Sequence, residues 1–194
     1  MIFYKLTDKL NIPIDQLLST ITSVTSTTTG PVIDGKPLPL DASAGQIWQY
    51  YPYPKNIMFL RNWKDLHSQL IVILELKKLQ DTIRASADRN ELINAFLNIK
   101  FTPTAVGPIK VVGEVDSHTD ITRKYAITIG LKNSSAYRTY VSTASTSADF
   151  TPDDSLSYIV GDGEVYITEV DSVHSVVPIS SPIDRFTLSY STGG

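Results

Sequence analysis

Short β-type runs fill the chain after Lys100, and they restrict the possible folds more than any other pattern in the sequence. Every second residue from Tyr125 to Leu131 is aromatic or aliphatic, as on one face of a half-buried strand. Gly, Pro, Asp and Asn separate the runs, and the sequence GDGE at 161–164 is typical of a hairpin turn. Six or seven antiparallel strands at this spacing predict a β-sandwich or a small barrel.

The part of the chain before Lys100 has a helical pattern instead. Apolar residues from Ile14 to Val24 recur at spacings of three and four, and Asp88 followed by Glu91 resembles a capping box. We therefore predict helices over about 13–25, 56–86 and 88–98, although the apolar run LIVILEL also fits a buried strand. The predicted fold class is α+β, with N-terminal helices followed by the antiparallel β-sandwich or small barrel.

The predicted domain division also falls near residue 100. Residues 26–55 contain many Gly, Pro and Ser residues and predict an extended arm. We expect a helical region with this arm over 1–99 and a β-rich domain over 100–194, or one integrated fold of both. The 20 Ser and 20 Thr residues of the chain favour sheets and extended connections over helical bundles.

The totals exclude several classes of function. The net charge is −3, and no Lys/Arg cluster is present to neutralise phosphates, so we expect no nucleic acid as main ligand. Cysteine is absent, which removes thiol nucleophiles and Cys-ligated zinc. No secretory signal peptide and no transmembrane run is visible, so the sequence assigns no compartment.

Metal ligation has one weak set of candidates, Asp116, His118 and Asp120, within the sequence EVDSHTD. On an extended strand these three side chains project to one face, where two carboxylates and an imidazole suit a divalent cation. A solvated strand end explains the same residues, because further ligands would have to come from elsewhere. His67 is interpreted as a packed or surface histidine, and His174 as structural. We therefore predict no catalytic residue and no cofactor, while a dispersed Ser–His–Asp set stays open.

Aromatic residues crowd the sequence WQYYPYP. The candidate interaction residues are Trp48, Tyr50, Tyr51 and Tyr53. Trp and Tyr are common at binding hot spots, and the prolines hold the segment extended. Packing over the domain's own core, docking on a partner subunit and carbohydrate stacking are the three interpretations.

The function prediction follows from the general composition and segment pattern of the chain, because no motif indicates a function. Hydroxyl-rich β segments, a long arm and no catalytic signature predict a non-enzymatic structural or assembly protein, such as a component of a viral or phage particle. Its partners would be further copies of itself and other structural proteins, and its location the virion. The alternatives are a β-sandwich module that binds glycan or a cell surface through Tyr50, Tyr51 and Tyr53, and a hydrolase around Asp116, His118 and Asp120.

Overall fold

A computed structural model describes residues 2–6, 12–22, 47–51, 53–61, 63–85, 90–101, 107–120, 122–144 and 146–193. The helices in these ranges are α1 (Ile14–Thr22), α2 (Lys64–Leu74), α3 (Leu76–Arg84) and α4 (Glu91–Asn98). The strands are β1 (Phe3–Lys5), β2 (Ile47–Tyr50), β3 (Ile57–Arg61), β4 (Gly107–Val111), β5 (Val115–His118), β6 (Arg123–Lys132), β7 (Tyr137–Val141), β8 (Ser157–Tyr158), β9 (Val165–Glu169), β10 (His174–Pro178) and β11 (Arg185–Gly193).

The strands form two antiparallel sheets. The major sheet has seven strands in the order β1-β9-β6-β11-β4-β3-β2, and the minor sheet has four in the order β5-β10-β7-β8. The predicted mixture of helices and antiparallel sheets is therefore confirmed, and the described strands do not close into a barrel.

The helices cover one face of the major sheet. Leu188 and Tyr190 of β11 pack into the same core as Leu17 of α1, Leu70 of α2 and Phe96 of α4. Successive side chains of a strand point to opposite sides of the sheet, so the two faces of each strand have different surroundings. One face of the major sheet joins the helical layer. The other face meets the minor sheet, because Val111 of β4 packs in one cluster with Val115 of β5 and Tyr137 of β7.

The predicted arrangement of helices is wrong in its middle part. Residues 57–61 form β3 instead of the start of a helix, because Met58 and Leu60 are buried while the backbone pairs with β2 and β4. Tertiary strand pairing here overrides the helical spacing. The helix that follows is also broken, since Glu75 has left-handed backbone angles (φ 49°, ψ 53°) and separates α2 from α3.

The other two helices are shorter than predicted. α1 covers 14–22, and residues 23–25 of its predicted range lie outside the described residues. α4 begins at Glu91, where the Asn90 Oδ1 atom accepts a hydrogen bond from the Ile93 N–H at 2.9 Å. Asn90 therefore caps this helix, and the predicted cap Asp88 lies outside the described residues.

Residues from both halves of the chain build the major sheet. β1, β2 and β3 come from the region before residue 100, and β4, β6, β9 and β11 come from the region after it. The domain division into 1–99 and 100–194 stays a prediction, and residues 26–46 of the predicted arm lie outside the described residues. Within the described ranges, no helix combines the length and the apolar character that crossing a bilayer requires.

Candidate metal centre and active-site cavity

Two histidines and one aspartate meet where β5 and β10 pair. His118 and His174 are cross-strand partners in this antiparallel pair, and their ring centroids are 4.3 Å apart. The Asp120 Oδ1 atom lies 3.7 Å from the His118 Nε2 atom and 4.0 Å from the His174 Nε2 atom. One ligand atom from each of the three residues falls within 4.8 Å of the others. This spacing lets one metal ion contact all three side chains.

The backbone orients both imidazoles toward the centre of the cluster. The His118 Nδ1–H donates to the Asp116 carbonyl oxygen at 2.7 Å, and the His174 Nδ1–H donates to the Ser172 carbonyl oxygen at 2.8 Å. These hydrogen bonds set the tautomer that leaves each Nε2 lone pair free, as metal-ligating histidines require. Burial lowers the pKa of His174, and neighbouring His118 lowers it further, which favours the neutral, ligating imidazole.

Asp120 completes the set from just beyond the end of β5. Its N–H donates to the Val170 carbonyl oxygen at 2.9 Å, and its own carbonyl oxygen accepts from the Arg123 N–H at 3.3 Å. The backbone thus turns after His118 and brings the carboxylate back over the two imidazoles. Two neutral imidazoles and one carboxylate fit a divalent transition metal, because this is the 2-His-1-carboxylate donor set.

A cavity of about 530 Å³ opens beside the cluster, between the two sheets. His118, His174 and Asp120 line it together with residues of the major sheet. Its polar wall includes the hydroxyl side chains Thr128, Thr168, Thr187 and Ser189. Its apolar wall includes Ile57, Ile109, Val111 and Val176. A pocket of this size, with a few polar groups that converge, suits a small-molecule site.

Arg185 brings a positive charge into the same cavity. It is the first residue of β11 and is only 5% exposed, and its Nε–H is buried with no hydrogen-bond partner among the described residues. The groups that act on its charge are the hydroxyls of Tyr137 and Tyr158 rather than a carboxylate. Burial lowers the pKa of the Arg185 guanidinium. Burying a guanidinium without a counter-ion costs free energy, so an anionic ligand would stabilise this side chain.

Neutral hydroxyl groups surround this guanidinium. Burial raises the pKa of the Tyr158 hydroxyl, which therefore keeps its proton at neutral pH, and it lies 2.6 Å from the Thr168 Oγ1 atom. Thr187 follows Arg185 on the same face of β11 and also lines the cavity. Together these groups offer a charged fork and hydroxyl donors, which match a carboxylate.

The structure divides the three metal candidates of the sequence. His118 and Asp120 belong to the cluster, whereas the Asp116 side chain is exposed and only its backbone carbonyl takes part, as the acceptor from His118. The strand ends at His118, so the expected alternation of three side chains on one face does not extend to Asp120.

The four aromatic candidates lie in different surroundings. Trp48 is buried in the core, where its ring meets the Phe186 ring edge-on at 5.9 Å, and Tyr50 packs against the same core. Tyr51 and Tyr53 line the cavity, and the Tyr53 hydroxyl donates to the Ser117 carbonyl oxygen at 3.4 Å. Partner binding through these four residues stays a prediction.

Sequence reasoning missed His174 and Arg185. His174 follows Asp120 by more than fifty residues, and only the β5–β10 pairing brings it to His118. Arg185 does have a local signal, because it shares the polar face of β11 with Thr187 and Ser189 while the opposite face is apolar. A polar face on a strand in a sheet covered on both sides indicates a polar cavity rather than solvent.

Comparison with known proteins gives matches among solved structures alone: no family model and no curated protein matches the chain. An oxidoreductase of the 2OG-Fe(II) oxygenase family from Burkholderia pseudomallei is 13% identical, with a TM-score of 0.34, over 59% of this chain and 55% of that chain. AviO1 from Streptomyces viridochromogenes Tue57 is 16% identical, with a TM-score of 0.47, over 98% of this chain and 90% of that chain. The chain thus spans about half of the first of these structures.

The function predicted from composition and segment pattern, a non-enzymatic assembly protein, is wrong. The metal-type cluster of His118, Asp120 and His174 lines a polar cavity, and this arrangement points to an enzyme. The prediction of a non-enzymatic assembly protein of a virion falls with this finding, as do its glycan-binding and hydrolase alternatives. Composition could not reveal the cluster, because His174 is distant from His118 and Asp120 in the sequence and reaches them only through strand pairing.

Proposed function

We propose that this protein is a non-haem Fe(II)-dependent oxygenase that uses 2-oxoglutarate, a 2-oxo acid, as co-substrate. The observation that carries the proposal is the presence of the His118–Asp120–His174 set and the uncompensated Arg185 in one cavity. The 2-His-1-carboxylate set with open positions is the donor set of non-haem Fe(II) oxygenases. The oxygenase from Burkholderia pseudomallei is described as belonging to the 2OG-Fe(II) family.

The three ligands would hold the ferrous ion on one side and leave the cavity side open. His118 and His174 would bind through Nε2 and Asp120 through a carboxylate oxygen, each held by the backbone hydrogen bonds described above. When bound, the iron supplies the reduction of O₂ that oxidises a C–H bond of the substrate. The overall balance is substrate, O₂ and 2-oxoglutarate to hydroxylated substrate, succinate and CO₂.

Arg185 would bind the distal carboxylate of the co-substrate. Its guanidinium presents parallel N–H donors that match a carboxylate, and burial strengthens the pairing because water does not screen it. The Tyr158 and Thr187 hydroxyls line the same cavity and would fix the orientation of that carboxylate. The anion would also supply the counter-charge that Arg185 lacks among the described residues.

The test measures metal content and co-substrate turnover on the same samples. After anaerobic loading with Fe(II) and dialysis, the parent protein should hold one iron per chain. With O₂ and ascorbate, which supplies the two electrons that the primary substrate would otherwise give, it should convert 2-oxoglutarate to succinate. His174→Ala should lose the iron. Arg185→Gln should keep the iron while its KM for 2-oxoglutarate rises at least about tenfold, since charged hydrogen bonds contribute about 1.5–3 kcal/mol.

Asp171→Asn is the matched control, because Asp171 is an exposed acid that precedes β10 and lies outside the cavity. This variant should behave as the parent in both measurements. Absence of iron from the parent protein, or full iron retention by His174→Ala, would contradict the metal site. Unchanged 2-oxoglutarate turnover in Arg185→Gln would contradict the co-substrate.

A further inference from the structure

A second arginine, Arg123, enters the cavity by an irregularity of the major sheet. Ala126 and Thr128 of β6 line the cavity, so strict alternation would put Lys124 on that wall and Arg123 on the outside. The structure shows the reverse: Arg123 lines the cavity and Lys124 is exposed.

A β-bulge causes this reversal. From Ser191 to Gly193 the ladder advances two residues on β11, while β6 advances three, from Ala126 to Arg123. The extra residue shifts the alternation of β6 by one position. Bulges occur next to active sites, where they redirect a side chain.

The Thr192 side chain secures the bulge. Its Oγ1 atom accepts from the Tyr125 N–H at 3.0 Å and donates to the Tyr125 carbonyl oxygen at 3.3 Å. Both polar groups of the Tyr125 backbone thus have a side-chain partner at the irregular position. The redirected Arg123 is therefore a built feature of the sheet rather than a frayed strand end.

The surroundings of Arg123 are aromatic and contain no paired acid. Tyr51, Tyr53 and Pro54 line the same cavity. Burial raises the pKa of Tyr51, and the neighbouring Arg123 charge opposes that rise, which places the guanidinium beside the phenol. Among the described residues, no carboxylate lies within ion-pair distance of Arg123. A half-buried cation beside Tyr51, in a cavity that Tyr53 also lines, suits an anion attached to an apolar or aromatic body.

We propose that Arg123 binds the carboxylate of the primary substrate, a small organic acid with an aromatic body that packs against Tyr51 and Tyr53. This inference rests on the proposed function, because it treats the cavity as a substrate site. The cavity then holds two anions on two arginines, with 2-oxoglutarate on the deeply buried Arg185 and the substrate on Arg123. The bulge would determine specificity by selecting which residue of β6 faces the substrate.

The test measures binding instead of turnover. Under anaerobic conditions the parent protein is loaded with Mn(II), a divalent ion that stands in for Fe(II), and saturated with 2-oxoglutarate; both steps are followed by calorimetry. The probes 3-phenylpropionate and 3-phenylpropionamide, which differ in the charge of one group, are then titrated into the complex. The acid should bind at least about tenfold more tightly than the amide, because only the acid forms a charge-assisted pair with Arg123.

Variants assign the preference to Arg123. Arg123→Gln should weaken binding of the acid at least about tenfold and leave binding of the amide unchanged. Arg123→Lys keeps the charge without the fork and should fall between the two. Lys124→Gln removes the neighbouring charge on the outer face and should bind the acid as the parent does.

The outcomes separate this inference from the proposed function. Failure of Mn(II) or 2-oxoglutarate to bind in the first two steps would contradict the proposed function. Normal binding in those steps with equal affinity for acid and amide, or no binding of the acid, would overturn the role of Arg123. A loss of 2-oxoglutarate affinity in Arg123→Gln would assign Arg123 to the co-substrate and overturn the proposal as well.

Discussion

His118 lies between two carboxylates in the sequence, and the backbone decides which of them reaches it. Asp116 points outward from β5 and contributes its carbonyl oxygen, whereas the turn after the strand returns Asp120 to the imidazole. Two of the three metal candidates could therefore be found from the sequence, because ligands two residues apart are a local pattern. The partner His174 could not, since its position depends on the register of β5 against β10.

The proposed binding role of Arg185 implies that this residue reduces the stability of the ligand-free protein. We expect Arg185→Met to raise the free energy of unfolding of the ligand-free protein by about 1 kcal/mol, because an uncompensated buried charge is replaced by an apolar chain of similar length. The same variant should lose affinity for 2-oxoglutarate at least about tenfold. Urea unfolding and calorimetric titration measure the two effects.

Lys132→Met is the control for that comparison, because Lys132 is an exposed cation of the same sheet. It should change neither quantity. A decrease in the stability of Arg185→Met would mean that a group of the protein already compensates the Arg185 charge without a ligand.

At the scale of elements, apolar spacing predicted the faces of the helices better than their limits. The stripe that begins at Ile14 does bury Leu17 and Ile21 in α1. The long stripe after Asn56, in contrast, crosses β3, α2 and α3. Spacing did not reveal the break at Glu75, because a single left-handed residue leaves the apolar pattern on both sides intact.

That break gives a prediction of defined sign. Glu75→Gly should raise the free energy of unfolding by about 0.5–1 kcal/mol, because glycine adopts a positive φ without the steric penalty of a Cβ atom. In a continuous helix the same substitution would lower stability by about 1 kcal/mol. Chemical denaturation distinguishes the two signs.

Glu75→Ala tests whether charge explains the effect. It removes the exposed Glu75–Lys78 ion pair but keeps the Cβ atom. Its effect should stay within about 0.5 kcal/mol, since exposed pairs contribute little. An equal gain in both variants would assign the effect to the carboxylate instead of the backbone.

For the whole molecule, the α+β class and the antiparallel strands followed from local alternation, but the layering did not. Tyr125 and Phe186 start clean alternations that predict strands of β6 and β11. Which strands become neighbours, and that helices cover one face while a cavity occupies the other, depends on contacts between distant parts of the chain. The polar faces of these strands therefore looked like solvent-exposed faces in the sequence.

Metal binding at the proposed centre should stabilise the folded protein. A ligand that binds the folded state alone stabilises it by mass action, by about 2.7 kcal/mol at one hundred times its dissociation constant. We expect Mn(II) to raise the thermal unfolding midpoint of the parent protein in a concentration-dependent way, as scanning calorimetry would show. An equal rise in His174→Ala would show that the ion acts elsewhere.

The position of β11 has a consequence for folding during synthesis. This strand is synthesised after every other described strand, yet it lies in the middle of the major sheet, between β6 and β4. A nascent chain on the ribosome therefore exposes two unpaired strand edges, which are sites for association with other chains. This strand also carries Arg185, so its pairing with β6 and β4 would complete the described sheet and place the proposed anion-binding residue in the same step.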